Sequence, residues 1–402
     1  MVSRRLQIPG GMQDTLPEEC RAKRALESRL RGMFTSWGYR EIETPILEYY
    51  DALDDAVWGY RPEHVWKTFD TEGRILAIRP DTTIPAARLA GSKLRNVSLP
   101  LRLCYLQSAC KMERDTQSLL SEQTQAGVEL MGSASREADM EILGLAVKSL
   151  QTAGIERVQL EIGHAGYLNA IVREAGLSRD TQSRLLEWIG QKNVPEMERF
   201  LQSENVSPEV CSCLLALPAL FGGEEVFERA RALSHSSEAQ EAVDALEALY
   251  RWLHAAYPDL DLSVDMALEQ EAGYYSGLIF QAQTTDVGQP ILSGGRYDHL
   301  PERYGRPLPA VGFAMSLKLA LIALEKQGRF QDRMQKGVGI AFDEAGFAAA
   351  YRLAEQLRQT GETAMLLHGC TREALADALT HGRYVRGYYV DSRGIWPVEG
   401  GD

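Results

Sequence analysis

Two hydrophobic rhythms alternate along the chain, and their order predicts its elements. From residue 17 to 37 apolar positions recur every three to four residues, with Ala25, Leu26, Leu30, Met33 and Phe34 on one side, which predicts an amphipathic helix. Gly38 fits the position just past its end. A short strand over residues 39–47 follows, and Pro45 marks it as a sheet edge or strand end. Residues 68–83 (TFDTEGRILAIRPDTT) read as a hairpin with Gly73 in the turn and a buried strand at 75–78; a helix carrying Ala86, Ala87 and Leu89 comes next. A strand begins at 102–105, and period-2 alternation follows around Gln125, Gly127 and Glu129, which share one strand face while Ala126, Val128 and Leu130 take the other. The polar stretch 112–122 joins these two strands as a hairpin loop.

Further on, the pattern predicts a helix over 136–153 and a strand over 158–162 that ends in Gly163-His164. Residues 167–257 are charged and helical in spacing, broken at Gly176, Pro195, Pro208 and Gly222-Gly223, so they read as a helical insertion between two halves of one sheet. Strand patterns resume over 262–280 and 292–319. Behind a polar linker at 327–336, strand, helix, strand, helix and strand at 337–342, 347–360, 364–367, 372–381 and 386–390 make a small C-terminal α/β domain over 336–402. The expected fold class is α/β (α+β), an antiparallel sheet flanked by helices in a domain of residues 1–325 that contains the insertion.

Composition narrows the function. The chain has 402 residues, 45% of them hydrophobic, enough for two or three domains. No apolar run of about 18 residues occurs and the N-terminus lacks an apolar signal core, which predicts a cytoplasmic protein without a membrane span. Six scattered cysteines, of which Cys211 and Cys213 alone stand close, fit neither a disulfide framework nor a zinc site. The net charge of −13 argues against a large phosphate-backbone footprint. No phosphate-binding fingerprint and no cofactor signal is present.

The candidate chemistry sits on the hairpin. An amide (Gln125) and a carboxylate (Glu129) on one face, with Gly127 leaving space between them, suit a small polar cation such as an ammonium or an imidazolium; the alternative is a strand with its polar side in water. Residues 102–132 (RLCYLQSACKMERDTQSLLSEQTQAGVELMG) resemble motif 2 of class II aminoacyl-tRNA synthetases, and specifically the histidyl-tRNA synthetase family, in which Gln-x-Gly-x-Glu binds histidine and an arginine in Phe-Arg-x-Glu holds ATP. Here that arginine is replaced by Lys111. Arg79-Pro80-Asp81-Thr82-Thr83 matches the family's Arg-Pro-Glu-Gly-Thr, so the resemblance gives Asp81 and Thr83 to the substrate ammonium. Gly273-Tyr274-Tyr275-Ser276-Gly277 keeps half of Arg-Gly-Leu-Asp-Tyr-Tyr-Thr-Gly, with Gln270 where the arginine belongs; as strand-start residues, Tyr274 and Tyr275 would point to opposite faces. Gly294-Gly295-Arg296-Tyr297-Asp298 and residues 309–315 match the family closely, but Gly-Leu-Glu-Arg becomes Ser316-Leu317-Lys318-Leu319.

Three cationic groups of adenylation chemistry are therefore replaced, by Lys111, Gln270 and Leu319, and each such donor supplies on the order of 3 kcal/mol of transition-state stabilisation. The resemblance extends to the catalytically silent relatives of this family, the regulatory subunits of ATP phosphoribosyltransferase. It implies a non-catalytic chain in a hetero-octamer with a short-form ATP phosphoribosyltransferase catalytic subunit. It also implies a dimer through the motif 1-like segment and histidine as ligand in feedback inhibition. In that reading Glu129 and a tyrosine take the imidazole, Asp81 and Gln125 the ammonium, and Lys111 the carboxylate; no tRNA is expected, since neither the insertion nor the C-terminal domain carries a basic cluster. A divergent histidyl-tRNA synthetase and a stand-alone histidine-binding protein are the alternatives.

Overall fold

The computed structural model describes residues 6–53, 65–111, 121–204, 206–234, 236–268, 274–330 and 336–400. The chain divides into two compact units, residues 1–330 and 331–402.

The first unit opens with α1 (Pro17–Ser36), where proline is tolerated because a first-turn N–H has no helical partner. Leu26, Leu30 and Phe34 on its buried stripe are fully shielded, and Gly38, at φ +82°, lets the chain leave in the left-handed region. The strand expected over 39–47 is instead two short pieces, β1 (Arg40–Glu41) and β2 (Leu47–Tyr49), in different sheets. The physical reason lies at the crossover. Pro45 has no N–H for a ladder, and the Arg79 guanidinium takes the Thr44 carbonyl at 2.8 Å and the Pro45 carbonyl at 3.3 Å, pinning the chain between sheets. β2 pairs with β4 (Ile75–Ile78), which pairs in turn with β3 (Lys67–Phe69), around the Gly73 turn. β4 is not the buried strand expected: Ala77 is buried, while Ile75, on the same strand face, is 41% exposed.

Next come α2 (Thr83–Gly91), β5 (Leu101–Cys110), β6 (Glu122–Met131), α3 (Arg136–Ala153) and β7 (Val158–His164). The insertion is helical, with α4 (Ala165–Glu174), α5 (Arg179–Gly190), α6 (Val194–Ser203), α7 (Pro208–Ala216), β8 (Phe221–Gly222), α8 (Glu225–Leu233) and α9 (Ser237–Ala256). Pro195 and Pro208 fall in first helical turns rather than in helix interiors. The sheet resumes with β9 (Asp261–Asp265), β10 (Leu278–Thr284), β11 (Val287–Arg296) and β12 (Ala310–Ser316), followed by α10 (Leu317–Lys326).

Among the described residues these strands form one nine-stranded sheet, ordered β1-β5-β6-β12-β11-β10-β7-β9-β8, antiparallel except at β1/β5 and β7/β9. One face is apolar: Cys104, Ala126, Val128, Phe313, Met315, Phe280 and Ile162 share a core with α1, α3, α9 and α10. The opposite face carries Tyr105, Gln107, Gln125 and Glu129, side by side with Gly312 and Ser316 of β12 through the register Glu129↔Gly312 and Gln125↔Ser316. One hairpin thus contributes to a core on one side and to a polar pocket on the other.

In the second unit β13 (Val338–Phe342) lies parallel to both β14 (Ala364–Leu367) and β15 (Arg386–Asp391), with α11 (Phe347–Gln359) and α12 (Arg372–Thr380) as crossovers. Beyond the strand predicted at 386–390, the tail adds an antiparallel edge strand, β16 (Gly394–Val398). Pro397 is accommodated there because an edge strand needs ladder donors on one side alone.

Candidate ligand-binding site

The pocket is built on the glycine-lined centre of the large sheet. A Cβ on Gly127 would stand 2.4 Å from the Tyr105 ring, one on Gly295 2.7 Å from the Tyr275 ring, and one on Gly312 1.9 Å from Oε2 of Glu129. The expectation that Gly127 leaves room for a ligand therefore needs correction. The room is filled by Tyr105, which the register β5/β6 places directly opposite Gly127.

Glu129 is fully buried and held by three hydroxyls. Thr83 Oγ1 donates to Oε1 at 2.8 Å and the Tyr105 hydroxyl to the same oxygen at 3.0 Å; the Tyr297 hydroxyl donates to Oε2. A carboxylate has about four acceptor positions, so three donors leave it close to satisfied. Burial nevertheless dominates its titration. Desolvation outweighs the Tyr297, Thr83 and Tyr105 hydroxyls, which favour the charged form, and the carboxyl is pushed up to about 7. Burial and the adjoining carboxylate raise the Tyr105 and Tyr297 hydroxyls well above the ordinary tyrosine range, so both remain donors.

The start of α2 supplies the next wall. Thr82 N–H and Thr82 Oγ1 both donate to Oε1 of Gln125 at 3.1 Å. The backbone N–H fixes the amide orientation, and the Nε2 side of Gln125 is left as the donor side. Asp81 accepts the Ile84 N–H through Oδ1 at 3.0 Å, so it caps the first turn of α2 while 5% exposed beside the pocket. Thr83, whose proton goes to Glu129, keeps its oxygen lone pairs for an incoming donor.

Tyr274 and Tyr275 are not on a strand, so alternation does not set their directions; they lie in the turn ahead of β10. Their rings stand 4.9 Å apart, and Tyr274 meets Tyr297 edge-on at 5.7 Å. The three tyrosines form a continuous aromatic wall next to Glu129. Lys111 stands just past the end of β5, four residues beyond Gln107, the cross-strand partner of Gln125. Its backbone pairs with Val65 and donates to Ser121 O at 2.9 Å. Gln270 and loop residues 112–120 lie outside the described residues.

Several motif residues brace the sheet. Arg296 donates to Asp139 at 3.0 Å and Asp298 at 3.1 Å, tying β11 to α3, and Asp298 accepts the Ala310 N–H at 2.9 Å. Arg79 donates to Ser108 O at 2.7 Å as well as to Gln107 Oε1. His164 accepts the Gly166 N–H through Nδ1 at 3.1 Å and caps α4; burial pushes its pKa down to about 4, so it is neutral at pH 7. Nothing in the local sequence pattern assigns a role to Tyr105 or Tyr297. The signal for Tyr105 was available in the hairpin register, and Tyr297 stands inside a motif that the sequence retains. Leu319, at the position of the family's ATP-stacking arginine, is 6% exposed and belongs to the apolar core. Among the described residues no group of histidine, cysteine and acidic side chains is arranged to hold a metal ion, and no helix is long and apolar enough to cross a membrane.

Known proteins share this framework. Residues 11–320 match the family model for histidyl-tRNA synthetase. An ATP phosphoribosyltransferase regulatory subunit of Acetivibrio thermocellus is 35% identical over 90% of this chain and 86% of its own. One of Clostridium kluyveri is 36% identical over 92% of this chain and 95% of its own. A crystal structure from Bacillus halodurans, described as an ATP phosphoribosyltransferase regulatory subunit/histidyl-tRNA synthetase, superposes with a TM-score of 0.82 at 31% identity, covering 96% of this chain and 98% of that one. Histidyl-tRNA synthetase from Nostoc sp. superposes with a TM-score of 0.77 at 18% identity, covering 96% of this chain and 92% of that one, a likeness of fold. The large sheet, the pocket motifs and the extent of these matches agree: the chain belongs to the family of ATP phosphoribosyltransferase regulatory subunits, built on the histidyl-tRNA synthetase fold.

Proposed function

We propose that this chain is a non-catalytic, cytoplasmic regulatory subunit. In this reading it assembles with a short-form ATP phosphoribosyltransferase catalytic subunit, is required for that subunit's activity in the first step of histidine biosynthesis, and transmits feedback by histidine. One contrast carries the reading. The hydroxyl-braced carboxylate Glu129 stands intact in the pocket, whereas the position of the phosphate-binding arginine is occupied by Leu319, packed in the core. An isobutyl group makes no hydrogen bond to a triphosphate, and the Lys111 ammonium offers a point charge in place of a planar fork.

For histidine, the geometry favours a division of labour different from simple contact with every motif residue. Asp81 and the oxygen of Thr83 accept from the ammonium, the free amide side of Gln125 donates to the carboxylate, and the Tyr274–Tyr275–Tyr297 wall faces the imidazole with Glu129 as the charge behind it. In the same reading the chain self-associates through the motif 1-like segment. Around it Leu16, Ile46, Leu47 and Tyr49 are 63%, 45%, 40% and 49% exposed, an apolar surface that a second copy would cover.

The decisive experiment mixes the purified chain with a short catalytic transferase. Expected are co-elution, a rise in transferase activity and loss of that rise on adding histidine. A histidine-dependent exchange of pyrophosphate into ATP by the chain alone would instead make it a synthetase.

A further inference from the structure

On the far side of the same hairpin lies a cleft of about 110 Å³ that the pocket does not use. Its walls come from four places: Glu19 and Lys23 of α1, Ser108 of β5, Glu122 and Thr124 of β6, and Lys318 of α10. The N-terminal segment closes one end, held by the Ser121 N–H to Gly11 O bond at 3.0 Å. Strand alternation sets the relation between the two sites. Gln107 and Gln125 face the pocket, and their neighbours Ser108 and Thr124 face the cleft, so one pair of strands separates them.

The lining is polar and carries both signs. Lys23 lies 3.9 Å from Glu27, one turn along α1. Lys318 is half-buried, and desolvation lowers its pKa while the nearby Glu19 and Glu122 carboxylates favour its charge. Lys318 stands where the family signature carries the glutamate of Gly-Leu-Glu-Arg, so the departure reverses a charge at this wall. At a liquid share of roughly 30 Å³ per water, the volume corresponds to about four waters, or one molecule of several heavy atoms. Two ammonium groups and two carboxylates around one small volume match a ligand that carries both charges.

We propose that this cleft is a second small-molecule site, for an α-amino acid with a small side chain whose carboxylate meets Lys23 and Lys318 and whose ammonium meets Glu19 and Glu122. The site is independent of the histidine reading, because it shares no residue with the pocket.

Isothermal titration of the full-length protein with L-serine tests it, with acetate, methylammonium and inorganic phosphate as single-charge probes. Saturable serine binding is expected, with the single-charge probes at least about tenfold weaker. Lys318→Met and Glu122→Gln should each weaken serine at least about tenfold, and Glu129→Gln should leave it unchanged. Absence of saturable serine binding overturns the proposal. So does serine binding that survives Lys318→Met, or that disappears in Glu129→Gln, which would assign it to the pocket. Phosphate binding stronger than serine would make the cleft an anion site and equally overturn the assignment. Should Lys318→Met fail to fold by circular dichroism, Glu122→Gln, at an exposed residue, carries the same decision.

Discussion

Gly312 and Glu129 face each other across two antiparallel strands so closely that a Cβ on the glycine would stand 1.9 Å from the carboxylate oxygen Oε2. The same Cβ would lie 2.4 Å from the Val128 carbonyl, which is backbone and cannot swing aside. Gly312→Ala must therefore move a strand or expel Glu129 from its hydroxyls. Chemical denaturation should show a loss of about 2–4 kcal/mol, the range of a severe core substitution.

Glu129 makes stability depend on pH in a defined direction. Its carboxyl titrates near 7 in the folded chain and near the ordinary glutamate value, about 4.3, when unfolded. Between these values the folded state binds more protons, so stability falls as pH rises through that window and levels off above it. The shift corresponds to about 3–4 kcal/mol in all. Denaturation of wild type and Glu129→Gln at pH 5 and pH 8 checks this: the variant, which does not titrate there, should lose less stability than wild type over the same interval.

The two tyrosine donors are separable. Tyr297→Phe removes the donor to Oε2, and Tyr105→Phe removes one of two donors to Oε1. Each should cost about 1–3 kcal/mol, since a hydrogen bond to a buried charge is lost. Both should raise the Glu129 carboxyl further, and the Tyr297→Phe shift should be larger because Tyr297 is its strongest charge-favouring partner. Carbon-labelled glutamate resonances followed through pH 5–9 would read both shifts.

Leu319→Arg is expected to leave the chain without synthetase activity. Leu319 is packed in the core, and Leu319→Arg buries a guanidinium without a built partner. We expect destabilisation of about 3 kcal/mol or more and no pyrophosphate exchange above background. Exchange activity in this single variant would show that one group had silenced the ATP side.

How far the sequence carries depends on whether a feature is periodic or spatial. The hairpin, the α2 start and the helical insertion follow from alternation, capping residues and first-turn prolines, and β5, β6 and α3 stand where those patterns predict. The split of β1 from β2 does not follow, because the guanidinium that pins Thr44 and Pro45 comes from Arg79, more than thirty residues away. Gly127 reads locally as empty space, and the ring that fills it belongs to the partner strand. Gln125 likewise has an amide whose orientation is decided by Thr82, so its donor side cannot be read from its own strand.

Glycines at 163, 295 and 312 stand in a single cross-strand row with Glu129, and the atoms packed over them belong to Leu268, Tyr275 and Glu129 itself. A floor made of absent side chains admits no enlargement, since every added methyl collides with what it supports. Variation in what this cavity accepts would then have to arise at its rim, in the α2 entry and the tyrosine turn, while the base is inherited unchanged.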